Sequence, residues 1–112
     1  MVVAEIGCVV VLTTIGSGTD AHTLASILVT ERLAACVNVL GEMESVYRWK
    51  GGVESEQERQ IVIKTTAAVV PDLEARLRVL HPYELPEFIV LPVAGGSEKY
   101  LAWIRESTAK TG

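Results

Sequence analysis

The chain is poor in cysteine, in histidine and in basic residues, and each shortage argues against a class of function. Its 112 residues contain two cysteines and two histidines, and its formal net charge is −4. An acidic chain has no field that attracts nucleic acid or an anionic membrane surface, so we expect neither as a partner. The longest apolar run, 8–12, is far too short to cross a bilayer, so no membrane insertion is expected.

The N-terminus lacks the basic start and the cleavage pattern of an export signal. A chain that is not exported folds in a reducing compartment, where thiols stay unpaired. The sequence therefore predicts a cytoplasmic protein in which Cys8 and Cys36 are free.

Known catalytic motifs are missing as well. The sequence contains no phosphate-binding glycine loop, no Cys-x-x-Cys pair and no nucleophile elbow. No pattern places a nucleophile beside a base or builds an open metal site. We therefore expect a protein that is not an enzyme and that needs no cofactor in order to fold.

Apolar side chains, in contrast, are abundant and make up 49% of the chain. A chain of this length buries roughly two thirds of its surface around one core, so we expect a single domain over residues 1–112. The apolar fraction is higher than one small domain needs, which favours a protein that associates with copies of itself.

The spacing of apolar and turn residues predicts the order strand, helix, strand, strand, helix, strand, with one further helix at the end. The predicted strands are 2–14, the two arms of 36–66, and 86–94. The first predicted helix is capped by Thr19 or Asp20 and runs to residue 35, and the second covers 70–81. A short third helix is capped by Ser97 and is predicted to point Tyr100, Leu101 and Ile104 inward. This order is that of the ferredoxin-like split βαβ sandwich, an α+β fold with an antiparallel sheet and both helices on one face.

The predicted hairpin 36–66 is longer than the domain to which it belongs. Each arm of about fifteen residues extends about 50 Å, whereas a domain of this size is roughly 35 Å across. Gly41 is predicted to bend the strand through a bulge. The outer half, with Val46, Tyr47 and Trp49, has little of its own chain to cover it and is predicted to be a subunit contact.

A turn centred on Gly51 and Gly52 also predicts the register of this hairpin, because both residues accept positive φ. The pairing then places Trp49 opposite Glu54, Tyr47 opposite Glu56 and Ser45 opposite Glu58, and it shifts if the loop holds three residues. The side-chain period of two puts all six side chains on one face.

Three groups of residues are candidates for chemistry, and each also has a purely structural interpretation. His81, where the second helix ends, is either a metal ligand or proton shuttle, or a cation that complements the helix C-terminus. Cys36 is either a metal or redox thiol, or a small buried side chain. The carboxylates Glu54, Glu56 and Glu58 repel one another unless a metal binds them, or solvent and nearby cations screen their charges.

Several segments in a shared order resemble the CutA divalent-cation-tolerance family. They are ERLAACVNV at 31–39, the spaced residues Ser45, Tyr47 and Trp49, the stretch Glu58 to Thr65, HPYELPE at 81–87 and YLAW at 100–103. The resemblance covers nearly the whole chain. It implies a ferredoxin-like subunit in a homotrimer whose long hairpins extend a neighbour's sheet, an assembly similar to that of PII signal proteins. It also implies a role in tolerance of copper or other divalent cations.

The resemblance carries over to individual residues only in part. His81 matches a position associated with copper binding in similar chains, whereas Thr13 and Leu80 stand where those chains have a cysteine and a further histidine. Cys36 and Glu58 complete the predicted metal ligands, because Cu(II) prefers several ligands. The predicted trimer interface consists of Val46, Tyr47 and Trp49.

Two further functions stay open at this point. One is a PII-like sensor that binds a small anion or metabolite between subunits, near Lys64, Tyr83 and Pro86. The other is a trimeric scaffold that presents its surface to another protein.

Overall fold

The computed structural model describes residues 7–110, and within that range the predicted order of elements is confirmed. The strands are β1 (Cys8–Gly16), β2 (Cys36–Trp49), β3 (Gly52–Thr66) and β4 (Ile89–Pro92), and the helices are α1 (Ala21–Thr30), α2 (Val70–Leu80) and α3 (Glu98–Thr108). Residues 2–6 of the predicted first strand lie outside the described residues. A short 3-10 turn, Ala67–Val69, leads into α2.

The four strands form one antiparallel sheet in the order β2-β3-β1-β4, which is the ferredoxin-like arrangement. Apolar side chains at alternate positions of β1 and β3, such as Val11 and Ile63, point to one face of the sheet. They join Leu28 of α1 and Leu73 of α2 in a single core cluster, and all four side chains are fully buried. Both helices therefore cover the same face of the sheet.

The first helix ends five residues earlier than predicted. Asp20 caps its start by accepting a hydrogen bond from the Thr23 backbone N–H at 3.0 Å. At the other end Arg32 adopts a φ of 61°, which turns the chain out of the helix. The following backbone N–H groups of Leu33 and Ala34 then donate to the Leu28 carbonyl. The small residues at 34 and 35 are buried in this loop and not in the helix.

The hairpin register was predicted wrongly by two residues. Its turn consists of Lys50 and Gly51, with φ values of 49° and 82°, so Trp49 pairs with Gly52. A two-residue turn of this type needs positive φ at both central positions, and Lys50 adopts it in place of a second glycine. The corrected pairs are Tyr47 with Glu54, Ser45 with Glu56 and Met43 with Glu58. A shift of two keeps every side chain on its predicted face.

The hairpin is long and contains the expected bulge. The register between β2 and β3 changes between Val39 and Glu42, which confirms the bulge at Gly41. The described chain measures 44 Å along its longest axis and 29 and 24 Å along the other two. Val46 and Val53 on the outer hairpin are 65% and 72% exposed, so nothing in the described chain covers them.

Within residues 7–110, the second face of the sheet, which we call the open face, is covered by a helix at one end. There Leu101 and Ile104 of α3 pack with Cys8 and Ala35. Tyr100 was predicted to point inward with them, but 43% of it is exposed, since its ring lies 5.8 Å from the Lys64 ammonium at the surface. The rest of the open face carries exposed apolar side chains and the residues described next.

The fourth strand is shorter than predicted. It comprises Ile89–Pro92 at the edge of the sheet and, among the described strands, pairs with β1 alone. An edge position accepts Pro92, because proline has no N–H to donate to a neighbouring strand. Residues 83–88, which precede it, form a loop across the open face and bring several polar side chains to the site.

Candidate functional site

A groove of about 680 Å³ lies on the open face, between the outer hairpin and the 83–88 loop. Carboxylates and rings dominate its lining, which includes four glutamates and one arginine, Arg48. The hairpin contributes Met43, Ser45, Tyr47, Trp49, Glu56 and Glu58, and the loop contributes Tyr83, Glu84, Leu85, Pro86, Glu87 and Phe88. The charge of the lining predicts a ligand of positive charge.

Glu58 is the buried charge of this groove. Its position in β3 places it between Gly16 of β1 and Met43 of β2, and only 5% of it is exposed. The Tyr83 hydroxyl donates a hydrogen bond to its Oε2 at 2.7 Å. Gly16 makes room for that hydroxyl, because a Cβ at position 16 would lie 3.3 Å from the Tyr83 oxygen.

A second tyrosine and carboxylate pair lies beside the first. The Tyr47 hydroxyl donates to Glu56 Oε1 at 3.2 Å. Burial, followed by the bond to Glu58, raises the pKa of Tyr83 well above its usual range. Burial and the Glu56 charge raise the pKa of Tyr47 in the same way. Both phenols therefore keep their protons at neutral pH and act as donors to carboxylates.

Gln60 attaches the loop to the sheet. Its Nε2 donates to the Thr13 carbonyl at 2.7 Å and to Glu87 Oε2 at 3.0 Å. Sequence reasoning missed the roles of Gln60, Glu87 and Gly16. Two sequence signals could have indicated these roles. Pro82 and Pro86 indicate a fixed loop at 82–86, and the side-chain period of β3 places Gln60 on the same face as Glu58.

His81 lies behind Tyr83 and uses both ring nitrogens within the chain. The Tyr83 backbone N–H donates to Nδ1 at 3.1 Å, so the proton is assigned to Nε2, which donates to the Thr14 carbonyl at 2.6 Å. The His81 and Tyr83 rings meet edge to face, with centroids 4.7 Å apart. The structure therefore brings His81 and Glu58 together through Tyr83, with no free imidazole lone pair.

Cys36 lies away from this groove. Cys36 begins β2 and pairs with Lys64 of β3. Lys64 is six residues from Glu58 along that strand, so the backbone positions of Lys64 and Glu58 are about 20 Å apart. Cys36 is half-buried and free. Lys64 and Tyr83, which we expected to share a cleft, are also at different ends of the open face within one chain.

The predicted metal ligands do not form one coordination shell in a single chain. Among residues 7–110, no three histidine, cysteine, aspartate or glutamate side chains are close enough to hold a metal ion. Glu58 fits a cation best, because its Oε1 receives no hydrogen bond from the described residues. A metal site that used Glu58 would need ligands from more than one chain or from water.

Comparison with known proteins identifies the family. The model of the CutA1 divalent ion tolerance protein matches residues 9–107, which is most of the chain. The chain belongs to this family. The resemblance that the sequence motifs suggested is therefore confirmed, and so is the ferredoxin-like α+β fold.

Relatives and solved structures agree with the family model. The divalent-cation tolerance protein CutA of Thermus thermophilus is 48% identical over 88% of this chain and 96% of its own length. The chloroplastic CutA of Arabidopsis thaliana is 42% identical over 89% of this chain, which spans only 55% of that longer protein. The structure of the Thermus thermophilus protein superposes with a TM-score of 0.88 and 47% identity, covering 91% of this chain and 99% of that one.

The family and the Thermus thermophilus relative are named for tolerance of divalent cations. Within residues 7–110, no helix is long and apolar enough to cross a membrane.

Proposed function

We propose that this chain is a cytoplasmic, homotrimeric protein of the response to divalent cations, and that it acts by binding a metal ion such as copper and not by catalysis. The observation that carries the proposal is Glu58, a buried carboxylate that faces the groove without a cation beside it. A buried charge is costly unless an opposite charge or a metal ion pairs with it. The charge that Glu58 lacks is the kind that a divalent cation supplies.

The homotrimer is supported by the surfaces that the chain leaves uncovered. Strand β2 is a sheet edge of 14 residues, and an edge of that length invites another strand to pair with it. Ile89 and Leu91 on the open face are 45% and 44% exposed, and Val46 at the outer hairpin is 65% exposed. A second and a third copy would cover these apolar side chains and the unpaired backbone groups together.

Native mass spectrometry tests the assembly. A 12.1 kDa chain gives a trimer of about 36 kDa. We expect Val46→Glu and Trp49→Glu to shift the population towards the monomer, because a charge in a subunit contact loses its solvation. Val79→Glu is the matched control, since Val79 is 74% exposed on α2 and lies outside the predicted interface. A wild-type monomer, or equal dissociation in the control, would contradict the proposed interface.

Titration with Cu(II) and Zn(II) tests the metal site. We expect Glu58→Gln to weaken uptake by about tenfold or more, because the substitution removes a charged ligand and keeps its shape. Glu44→Gln removes the same charge from the other face of the hairpin and should change little. His81→Gln and Cys36→Ser then report separately whether the other two predicted ligands contribute. Uptake that is unaffected by Glu58→Gln would contradict the site.

A further inference from the structure

The C-terminal helix α3 is attached to the rest of the chain by a small apolar contact of its own. Its buried side chains Leu101 and Ile104 pack with Ala35 and with Cys8, which is 1% exposed. The main core cluster of residues 7–110, between the sheet and the helices α1 and α2, contains no residue of α3. Because this separate contact is small, α3 can leave the sheet at a lower cost in free energy than α1 or α2.

The segment that leads into α3 is rich in glycine. The Val93 N–H donates to the Cys8 carbonyl at 3.1 Å. Gly95 and Gly96 follow, and Ser97 caps the helix. A Cβ added at Gly95 would meet no described atom within 4 Å. Glycine has more backbone freedom than any other residue, so this segment is suited to act as a hinge.

Arg32 holds the other end of α3. Its Nε donates to the Ala109 carbonyl at 2.7 Å, and its Nη2 donates to the Glu106 carbonyl at 2.6 Å. Carbonyls at a helix C-terminus lack partners within the helix and carry partial negative charge, which a guanidinium complements. Arg32 has a φ of 61°, a conformation that residues other than glycine rarely adopt. An arginine at a position that suits glycine points to a role for its side chain.

The contact of α3 lies far from the predicted trimer interface. Ala35, which packs with α3, precedes β2, whereas Trp49 ends that strand at the tip of the hairpin. The 14 residues of β2, at about 3.3 Å per residue, separate the two regions. Movement of α3 therefore does not require the predicted interface to separate.

We propose that α3 is a strap that opens about Gly95 and Gly96, that Arg32 latches it shut, and that its opening uncovers the Cys8 thiol. The closed strap protects this thiol, because oxidants and alkylating reagents attack thiols that they can reach. The strap goes beyond the proposed function and does not depend on metal uptake.

Alkylation of Cys8 measures the opening of the strap. The chain has two cysteines, so Cys36→Ser leaves Cys8 as the sole thiol. Iodoacetamide is added in a buffer with a chelator, and the labelled mass is followed over time at several urea concentrations. Opening of one helix exposes little surface, so we expect a labelling rate that depends weakly on urea below the unfolding transition. A rate that rises as steeply as global unfolding would overturn the strap, since Cys8 would then react only in unfolded chains.

Variants of Arg32 test the latch in the same background. Arg32→Ala removes two charge-assisted hydrogen bonds, so we expect Cys8 to be labelled about tenfold faster or more. Arg32→Gly should have a similar effect, because it removes the same bonds and suits the φ of 61°. Arg78→Ala is the matched control and should change the rate by less than about twofold, because Arg78 bonds Glu74 within α2. Hydrogen exchange in Arg32→Ala should accelerate in α3 and not in α1 or α2.

Four outcomes would overturn the latch. They are an unchanged rate in Arg32→Ala, equal acceleration in Arg78→Ala, a wild-type rate in Arg32→Gly beside a fast Arg32→Ala, and faster exchange in all three helices. Labelling that slows as the protein concentration rises would assign the protection of Cys8 to a neighbouring copy and would overturn the strap. None of these measurements involves a metal ion, so their failure leaves the proposed function standing, and a failed metal titration leaves the strap standing.

Discussion

Replacing Tyr83 by phenylalanine removes one hydroxyl and tests the centre of the groove. That hydroxyl donates to Glu58 at 2.7 Å, and Glu58 is 5% exposed, so the variant leaves a buried carboxylate without its donor. A hydrogen bond to a charged group contributes about 1.5–3 kcal/mol to stability. Because water can reach the groove and replace part of that bond, we expect the free energy of unfolding to fall by about 2 kcal/mol. The pKa of Tyr83 is raised, so the phenol is a donor throughout the neutral range.

A double-mutant cycle with Glu58→Gln isolates this interaction. In the Glu58→Gln background, Tyr83→Phe removes a neutral hydrogen bond that contributes about 1 kcal/mol. The loss of stability caused by Tyr83→Phe should therefore be about 1 kcal/mol smaller in Glu58→Gln than in wild type. Urea unfolding at one fixed protein concentration measures each free energy of unfolding, because association also contributes to stability. Equal costs in the two backgrounds, or a cost below about 0.5 kcal/mol for Tyr83→Phe, would refute the reasoning.

Three other predictions concern backbone and charge. Gly16→Ala should lower stability and move Tyr83 away from Glu58, because the Cβ of the alanine would lie 3.3 Å from the Tyr83 hydroxyl. Urea unfolding and a crystal structure of the variant check this prediction. An unchanged position of the hydroxyl would contradict it. Lys50→Asn should raise the urea concentration at the midpoint of unfolding, because Lys50 has a φ of 49° and asparagine followed by glycine favours this type of turn. A lower midpoint would contradict the turn assignment. Hydrogen bonds from Thr23 lower the pKa of Asp20, so the cap should stabilise the protein above about pH 5 and lose that effect as the pH falls through the lowered pKa. Acid unfolding of wild type and Asp20→Asn should therefore show a steeper loss in wild type, and parallel curves would contradict it.

Much of the fold could be predicted because its signals are local. The apolar residues of 8–12, the capping Asp20 and the Pro71 and Pro82 positions each indicate an element or its end without knowledge of the rest. The register of the hairpin could not be predicted, since it depends on whether Lys50 or Gly52 shares the turn with Gly51. That choice depends on packing along the whole hairpin and not on the preference of one residue.

The candidate site could be predicted only where its signals are local. The period of two placed Glu58 and Tyr47 on one face, as the structure shows, but the groove between that face and the 83–88 loop was not predicted. The bonds of His81 to Thr14 and of Tyr83 to Glu58 join residues more than twenty positions apart, and no local pattern encodes them. Whether the ring nitrogens of His81 were free could therefore be learned only from the structure.

An anomalous difference map of crystals grown with Zn(II) is the most direct test of the central claim, that copies of this chain meet on the open face and bind divalent metal through Glu58. The account predicts three chains around a three-fold axis, with an anomalous peak about 2.0–2.2 Å from a Glu58 carboxylate oxygen. Chains that do not associate through the open face, or a peak only at an exposed side chain such as His22, would contradict it.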